Sequence, residues 1–266
     1  MDILQKISNH KITEVDQRRK ITPIEALEKS DYFGRASVSL SQHILRPDQT
    51  GVIAEFKKKS PSEGFINRNA DVRLITRGYI DAGSSALSIL TDAPFFGGSS
   101  EDLQLARTVN ECPILRKDFI VDEYQIYEAK AIGADAILLI AEILSKIQIK
   151  SFTALAHQLN MEVLMEIHSE DQLEKFIDEI DVLGVNNRNL KNFEVSISHS
   201  IDMYDQLPAN VVKISESGIH HVEEMIELAE VGYDGFLIGT QFMRTKDPVQ
   251  ACKALLENYR AQYQSK

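Results

Sequence analysis

From residue 50 onward, short apolar runs alternate with segments whose apolar positions recur at helical spacing. The runs are "VIAEFK" (52–57), "ALSILT" (86–91), "PILRKD" (113–118), "AILLIA" (136–141), "EVLMEI" (162–167), "VLGVNN" (182–187), "VVKISE" (211–216) and "GFLIGT" (235–240). Each has the length of a strand. Several are apolar on both faces, as in parallel sheets covered on both sides. Between them, "DVRLITRGYIDAG" places Val72, Ile75 and Tyr79 on one stripe and ends at Gly83. "SEDQLEKFIDEI" opens on Ser169 with Gln172 three residues on, the pattern of a capping box. "SEDLQLARTVNE", "DEYQIYEAKAIG" and "HVEEMIELAEVGYDG" are further helical stretches.

A strand and a helix every roughly 20–35 residues, about eight times over, predict an α/β fold, the (β/α)₈ TIM barrel. An open doubly wound sheet is the alternative, but eight parallel units in this length favour closure. The chain before the first strand is helical in pattern. Ile3, Leu4 and Ile7 share a face, and "TPIEALEKS" offers Thr22 as an N-cap with Pro23 at the first helical position. Residues 1–48 are therefore expected to form a helical extension packed on a catalytic barrel at 49–266, one domain overall.

In such barrels the active site lies at the carboxyl ends of the strands. Glu55 and Lys57 end the first strand two apart, so they face the same way. Lys58 then points outward, and with Lys59 it reads as a solvated face. Lys117 falls on the inward phase of "RKD", with Arg116 and Asp118 on the other. Glu166 stands in an otherwise apolar fifth strand, and Asn186, Asn187 and Arg188 end the sixth. Taken singly, each of these groups could be a strand end in water. Converging, they would shift one another's pKa values as general acids and bases require. Ser217 and Gly218 follow the seventh strand, and Gly239 and Thr240 the eighth. Loops in those two places are the common phosphate site of the fold, although simple tight turns would look the same.

Composition narrows the field. With 29 basic and 40 acidic residues the net charge is -11, which argues against nucleic acid or an anionic membrane as partner. It leaves room for an anionic small molecule held by a local cluster of lysines. Cys112 and Cys252 stand apart from any C-x-x-C, as reduced thiols do. No apolar run approaches the length of a membrane span, and the N-terminus reads as neither signal nor anchor. The cytoplasm is the expected location. No metal signature is present, and "HHVEE" (220–224) reads as a helix start. "FFGGSS" (95–100) leaves open whether Phe95 or Phe96 walls a substrate or packs in the core; Phe119 raises the same question.

"AEFKKKSPSEG" resembles the signature of the indole-3-glycerol-phosphate synthase family. The likeness continues in order through "LSILTDAPFFGGS", "PILRKDFIVDEYQIYEAKAIGADAILLI", "LMEIHSEDQL", "GVNNRNL", "ISESGI" and "GFLIGTQFMR". It implies a carboxy-lyase of tryptophan biosynthesis that needs no cofactor and acts on a phosphosugar-anthranilate, 1-(2-carboxyphenylamino)-1-deoxyribulose 5-phosphate. The products are indole-3-glycerol phosphate, carbon dioxide and water. Under this resemblance Lys117 is the acid for ring closure. Lys57 binds the carboxylate or serves as acid in dehydration. Glu55 and Glu166 are the acidic groups, and Asn186 is the orienting amide. Ser60 and Arg188 are further polar contacts, and Phe96 and Phe119 are the aromatic walls. Ser217, Gly218, Gly239 and Thr240 form the phosphate cradle. Glu63 departs from the basic residue often found at its position. A monomer is expected, with "KKKSPSEGFINR" as a loop that closes on substrate.

Overall fold

A computed structural model describes residues 3–189 and 194–264. Eight parallel strands close into a barrel. They are β1 (Val52–Phe56), β2 (Ala86–Leu90), β3 (Ile114–Lys117), β4 (Ala136–Ile140), β5 (Glu162–Ile167), β6 (Val182–Asn186), β7 (Val212–Glu216) and β8 (Gly235–Ile238). Closure comes from β1 lying beside β8, with Val52 opposite Phe236 and Ala54 opposite Ile238. Alternation along each strand sorts the side chains. Ile53, Leu115, Leu138, Leu164, Ile214 and Leu237 fill the inside. Ala54, Ile89, Leu139, Met165, Val185 and Phe236 pack outward under the helices.

Those helices are α4 (Val72–Asp81), α6 (Ser100–Val109), α7 (Tyr124–Ala131), α8 (Lys146–Gln158), α9 (Ser198–Met203), α10 (Val222–Val231) and α12 (Pro248–Tyr259). Two short turns of helix, α5 (Ala93–Phe96) and α11 (Thr240–Met243), sit at the carboxyl rim. The stripe Val72, Ile75 and Tyr79 on α4 is buried as its spacing predicts. On the amino-terminal rim, aspartates lock the register. Asp135, Asp181 and Asp234, each just before a strand, accept the backbone N–H of Ile114, Val163 and Lys213 at 2.8 Å in the preceding strand.

Two expected caps form differently. Thr22 does not begin the next helix: its N–H closes the last turn of α1 (Ile3–Ile21) on Arg18 O at 2.8 Å. Pro23 consequently takes the N-cap place of α2 (Ile24–Leu27), without a side-chain cap. Residues Glu170–Lys175 form a 3₁₀ turn, and the Ser169 side chain caps nothing. Gln172 instead accepts the N–H of His168 at 2.8 Å, which ties off the end of β5.

Helix α1 (Ile3–Ile21) lies across the carboxyl rim, where Leu4 and Ile7 join the interior cluster. Helix α3 (Leu40–Ile44) sits at the opposite rim. There Ile44 touches Gly235, and the Ser41 N–H donates to Glu162 at 2.7 Å. The buried stripe of α1 runs Leu4, Ile7, Lys11, Val15. Lys11 is a charge in an apolar row, and its side chain is fully buried. Its ammonium lies 3.0 Å from both Asp92 and Asp118. Burial alone would lower its pKa, but these carboxylates outweigh that and raise it. Asp118 in turn meets Arg116 at 3.1 Å, and Arg116 meets Glu128 at 2.8 Å.

Removing Lys11 leaves two fully buried carboxylates short of a cation. Lys11→Met is expected to cost about 3–5 kcal/mol and to lower the melting temperature by on the order of 10 °C. Glu14 also meets the Lys11 ammonium, at 2.8 Å, and Glu14→Gln, which keeps an acceptor there, should cost only about 1 kcal/mol. Calorimetry of the two variants checks both values.

Candidate active site

The inward phase of the barrel carries hydrocarbon until its last layer, which is ionic. Glu55 from β1, Lys117 from β3, Glu166 from β5 and Glu216 from β7 line one cavity of about 300 Å³, with Lys57 and Asn186 beside them. The Lys117 ammonium sits between two carboxylates, 2.8 Å from Glu166 Oε2 and 2.6 Å from Glu216 Oε2. Lys57 pairs with Glu55 at 2.6 Å. Two ion-pair groups therefore share the cavity, Lys57 with Glu55 and Lys117 with Glu166 and Glu216.

Burial would lower the Lys117 pKa, but Glu166, Glu216 and Glu55 together raise it well above the ordinary lysine value. The two glutamates then diverge. Burial pushes both up, yet Lys117 and His168 bring Glu166 down, while Glu216, left facing the charge of Glu166, stays high. One cation neutralises one carboxylate, and the second carboxyl keeps its proton. Glu216 is the site residue that reading the sequence missed. The signal was available: it follows Ile214 by two positions on the same inward phase, one residue before the Ser217–Gly218 turn that drew attention instead.

Glycines make the room. A Cβ at Gly184 of β6 would stand 2.1 Å from Glu216 Oε1, and one at Gly239 would stand 2.7 Å from Glu55 Cβ and Oε1. The strand positions beside the carboxylates are empty of side chain because the carboxylates lean across them.

The other strand ends and loops supply the remaining walls, and one residue expected to be solvated is an exception. Phe96 and Phe119 form a tilted pair with ring centres 5.8 Å apart on one side of the cavity. Phe95 turns away and meets His10 of α1 edge-on at 5.8 Å. Ser60, Arg188, Ser217, Gly218, Gly239 and Thr240 also line the cavity. The backbone at Ser217 and Gly218 is left-handed, with φ of 68° and 76°. That conformation directs the turn into the mouth, and a Cβ at Gly218 would stand 2.5 Å from Val195. The Asn186 Oδ1 accepts the Arg188 N–H at 3.0 Å. Asn187 points the other way and bonds Ser215 and Ser200 at 2.9 and 2.8 Å.

The exception is Lys58. It is not solvated; its ammonium meets both oxygens of Asp102, at the start of α6, at 2.8 Å. Lys59 donates to Pro94 O at 2.6 Å. The loop that follows pairs Lys59–Ser60 with Gly64–Phe65. Its Glu63 forms a two-pronged ion pair with Arg244, with contacts of 2.7 and 2.8 Å, across the cavity mouth.

A closed parallel barrel whose strand ends converge lysines and glutamates on one cavity is a (β/α)₈-barrel enzyme scaffold. Within that class the chain belongs to the indole-3-glycerol phosphate synthase family, whose model it matches over residues 4–255. It is 44% identical over 256 residues to the indole-3-glycerol phosphate synthase of Bacteroides thetaiotaomicron, covering 96% of this chain and 98% of that one. It is 40% identical over 261 residues to that of Carboxydothermus hydrogenoformans, covering 95% and 99%. Among solved structures, tryptophan synthase subunit alpha from Legionella pneumophila is similar with a TM-score of 0.62 at 14% identity, over 85% of this chain and 98% of that one. The 3-hexulose-6-phosphate synthase from Salmonella typhimurium gives 0.60 at 14% identity, over 78% and 99%. These two likenesses concern the fold alone. The last residue of the matching stretch "GVNNRNL", Leu190, lies outside the described residues.

The glycine at 184 gives a direct test of the packing. Gly184→Ala should displace Glu216 from Lys117 and cost about 1–3 kcal/mol of stability. Turnover should fall roughly 10–100-fold. Kinetics on a variant whose circular dichroism is unchanged checks this; wild-type turnover would show that the Glu216 position is unimportant.

Proposed function

We propose that this chain converts 1-(2-carboxyphenylamino)-1-deoxyribulose 5-phosphate to indole-3-glycerol phosphate, carbon dioxide and water. The family assignment supports the activity. The observation that carries the mechanism is the Lys117 ammonium, held between Glu166 and Glu216 at 2.8 and 2.6 Å inside a cavity walled by Phe96 and Phe119.

The ring carbon that bears the carboxylate is made nucleophilic by the neighbouring amine, and it attacks the ketone carbon. As that bond forms, the ketone oxygen becomes an alkoxide. A neutral ketone oxygen is too weak a base for a lysine whose pKa is raised, but an alkoxide is not. Lys117 therefore gives its proton as the carbon–carbon bond forms or just after. Loss of carbon dioxide from the same ring carbon restores aromaticity. The new hydroxyl then leaves as water, with an acid on oxygen and a base taking a proton from the adjacent carbon.

In this reading Glu166 and Glu55 stabilise the cationic stages and one of them takes the proton. Lys57 holds the substrate carboxylate or supplies the acid for dehydration, and Asn186 orients the substrate. Ser60 and Arg188 add polar contacts, and the phenyl pair walls the anthranilate ring. The turns at Ser217–Gly218 and Gly239–Thr240 cradle the phosphate. The reading includes a monomer in the cytoplasm that binds neither nucleic acid nor membrane; no described helix is long and apolar enough to cross one. It divides the chain into an extension, 1–48, and a catalytic barrel, 49–266.

A Schiff-base barrel enzyme would need an amine that loses its proton readily. Lys117 is held in the opposite state, cationic between two carboxyl groups. Lys117→Ala is expected to lower kcat by about 10²–10⁴, followed as the appearance of indole fluorescence. Turnover near wild type in that variant would remove Lys117 from the role of acid. A borohydride-trapped adduct with a ketose phosphate would replace the proposed reaction with an aldolase-type one.

A further inference from the structure

His168 is a buried titratable group at this site that the mechanism above does not use. It follows Glu166 by two positions, one residue beyond the end of β5, and so continues the inward phase. Its side chain is 8% exposed. Nε2 lies 3.4 Å from Glu166 Oε1, the oxygen that Lys117 leaves free when it takes Oε2 at 2.8 Å. Among the described residues neither ring nitrogen makes a hydrogen bond, and the Nε2 approach to Glu166 is a charge contact that falls short of one. The backbone holds the ring in place: the His168 N–H donates to Gln172 Oε1, and the Gln172 amide donates to Glu142.

We propose that His168 is a positioning residue for Glu166, donating from Nε2 to Oε1, so that the carboxylate is held by Lys117 on one oxygen and His168 on the other. The inference rests on the synthase reading, in which Lys117 surrenders its proton. At that moment Glu166 loses its cation. An N–H on the second oxygen keeps the carboxylate aimed and ionised while the amine is neutral, ready to hold the ammonium again once a proton from solvent restores it. The contact of 3.4 Å is loose, as such contacts are before substrate fills a site.

The surroundings support this tautomer. Burial lowers the His168 pKa, opposed by Glu166 and Glu142 and assisted by Lys117 and His199. The ring is then neutral near pH 7, with one donor and one acceptor nitrogen. Facing an ionised carboxylate, Nε2 takes the donor role.

The test compares His168→Phe, which fills the space, with His168→Gln, which keeps a donor. The Phe variant should lose kcat roughly 10–100-fold with KM changed less than about twofold, and the Gln variant should recover most of it. Removing a donor from an ionised carboxylate raises its pKa, so the acid limb of the kcat/KM profile should move to higher pH in the Phe variant. Equal losses in both variants, or an unmoved acid limb, would reduce His168 to packing. Nitrogen NMR of the ring in wild-type protein needs no turnover. It should show the Nε2–H tautomer at neutral pH, and the Nδ1–H tautomer would overturn the proposal. If that tautomer is found but wild-type protein makes no indole product, it is the reaction that is wrong and not the contact.

Discussion

The ammonium of Lys117 at the bottom of the cavity is the charge around which this barrel is organised. Alone, it would be too costly to take out of water. It persists because carboxyl groups reach it from β5 and β7, and those groups persist because β6 offers Gly184 where a side chain would stand. The ionic layer replaces a layer of hydrocarbon. It forms the floor of the cavity, above the hydrocarbon that fills the barrel below.

The same tripeptide that supplies Lys117 also fixes the N-terminal helix. Strand alternation turns Arg116 and Asp118 outward, and Asp118 is where Lys11 of α1 ends. Lys11 also reaches Asp92, whose other oxygen accepts the N–H groups of Phe95 and Phe96. A displacement of α1 is thereby transmitted to the aromatic wall and to the strand that carries the lysine. Leu4 and Ile7, further along the same face, contribute directly to the cavity lining.

Much of this was legible in the sequence. Period-two alternation placed Glu55, Lys57, Lys117 and Glu166 on the inward phase, because a strand leaves a side chain only two directions. Glu216 escaped because the Ser-Gly turn beside it carried a more familiar signal. Lys58 was misread because its partner, Asp102, is 44 residues away, and no local pattern reports a long-range ion pair. Lys11 drew no reading at all, although a lysine on the stripe Leu4, Ile7, Val15 is a local anomaly that points to buried partners. The caps at Thr22 and Ser169 failed for a shared reason. In each, a neighbouring element took a group the cap needs: α1 holds the Thr22 N–H, and the His168 N–H at the end of β5 holds the Gln172 side chain.

Helices α1 and α3 seal opposite rims, yet both leave the ribosome before any strand they seal. During synthesis Leu4, Ile7, Leu40 and Ile44 are exposed with nothing to cover. Their enclosure is complete only when β8 docks on β1, bringing Phe236 to Val52. Such distant pairing is slow, and it keeps an apolar segment available to wrong partners in the interval. The charges interspersed along α1, several of which end in ion pairs of the finished fold, keep that waiting segment soluble.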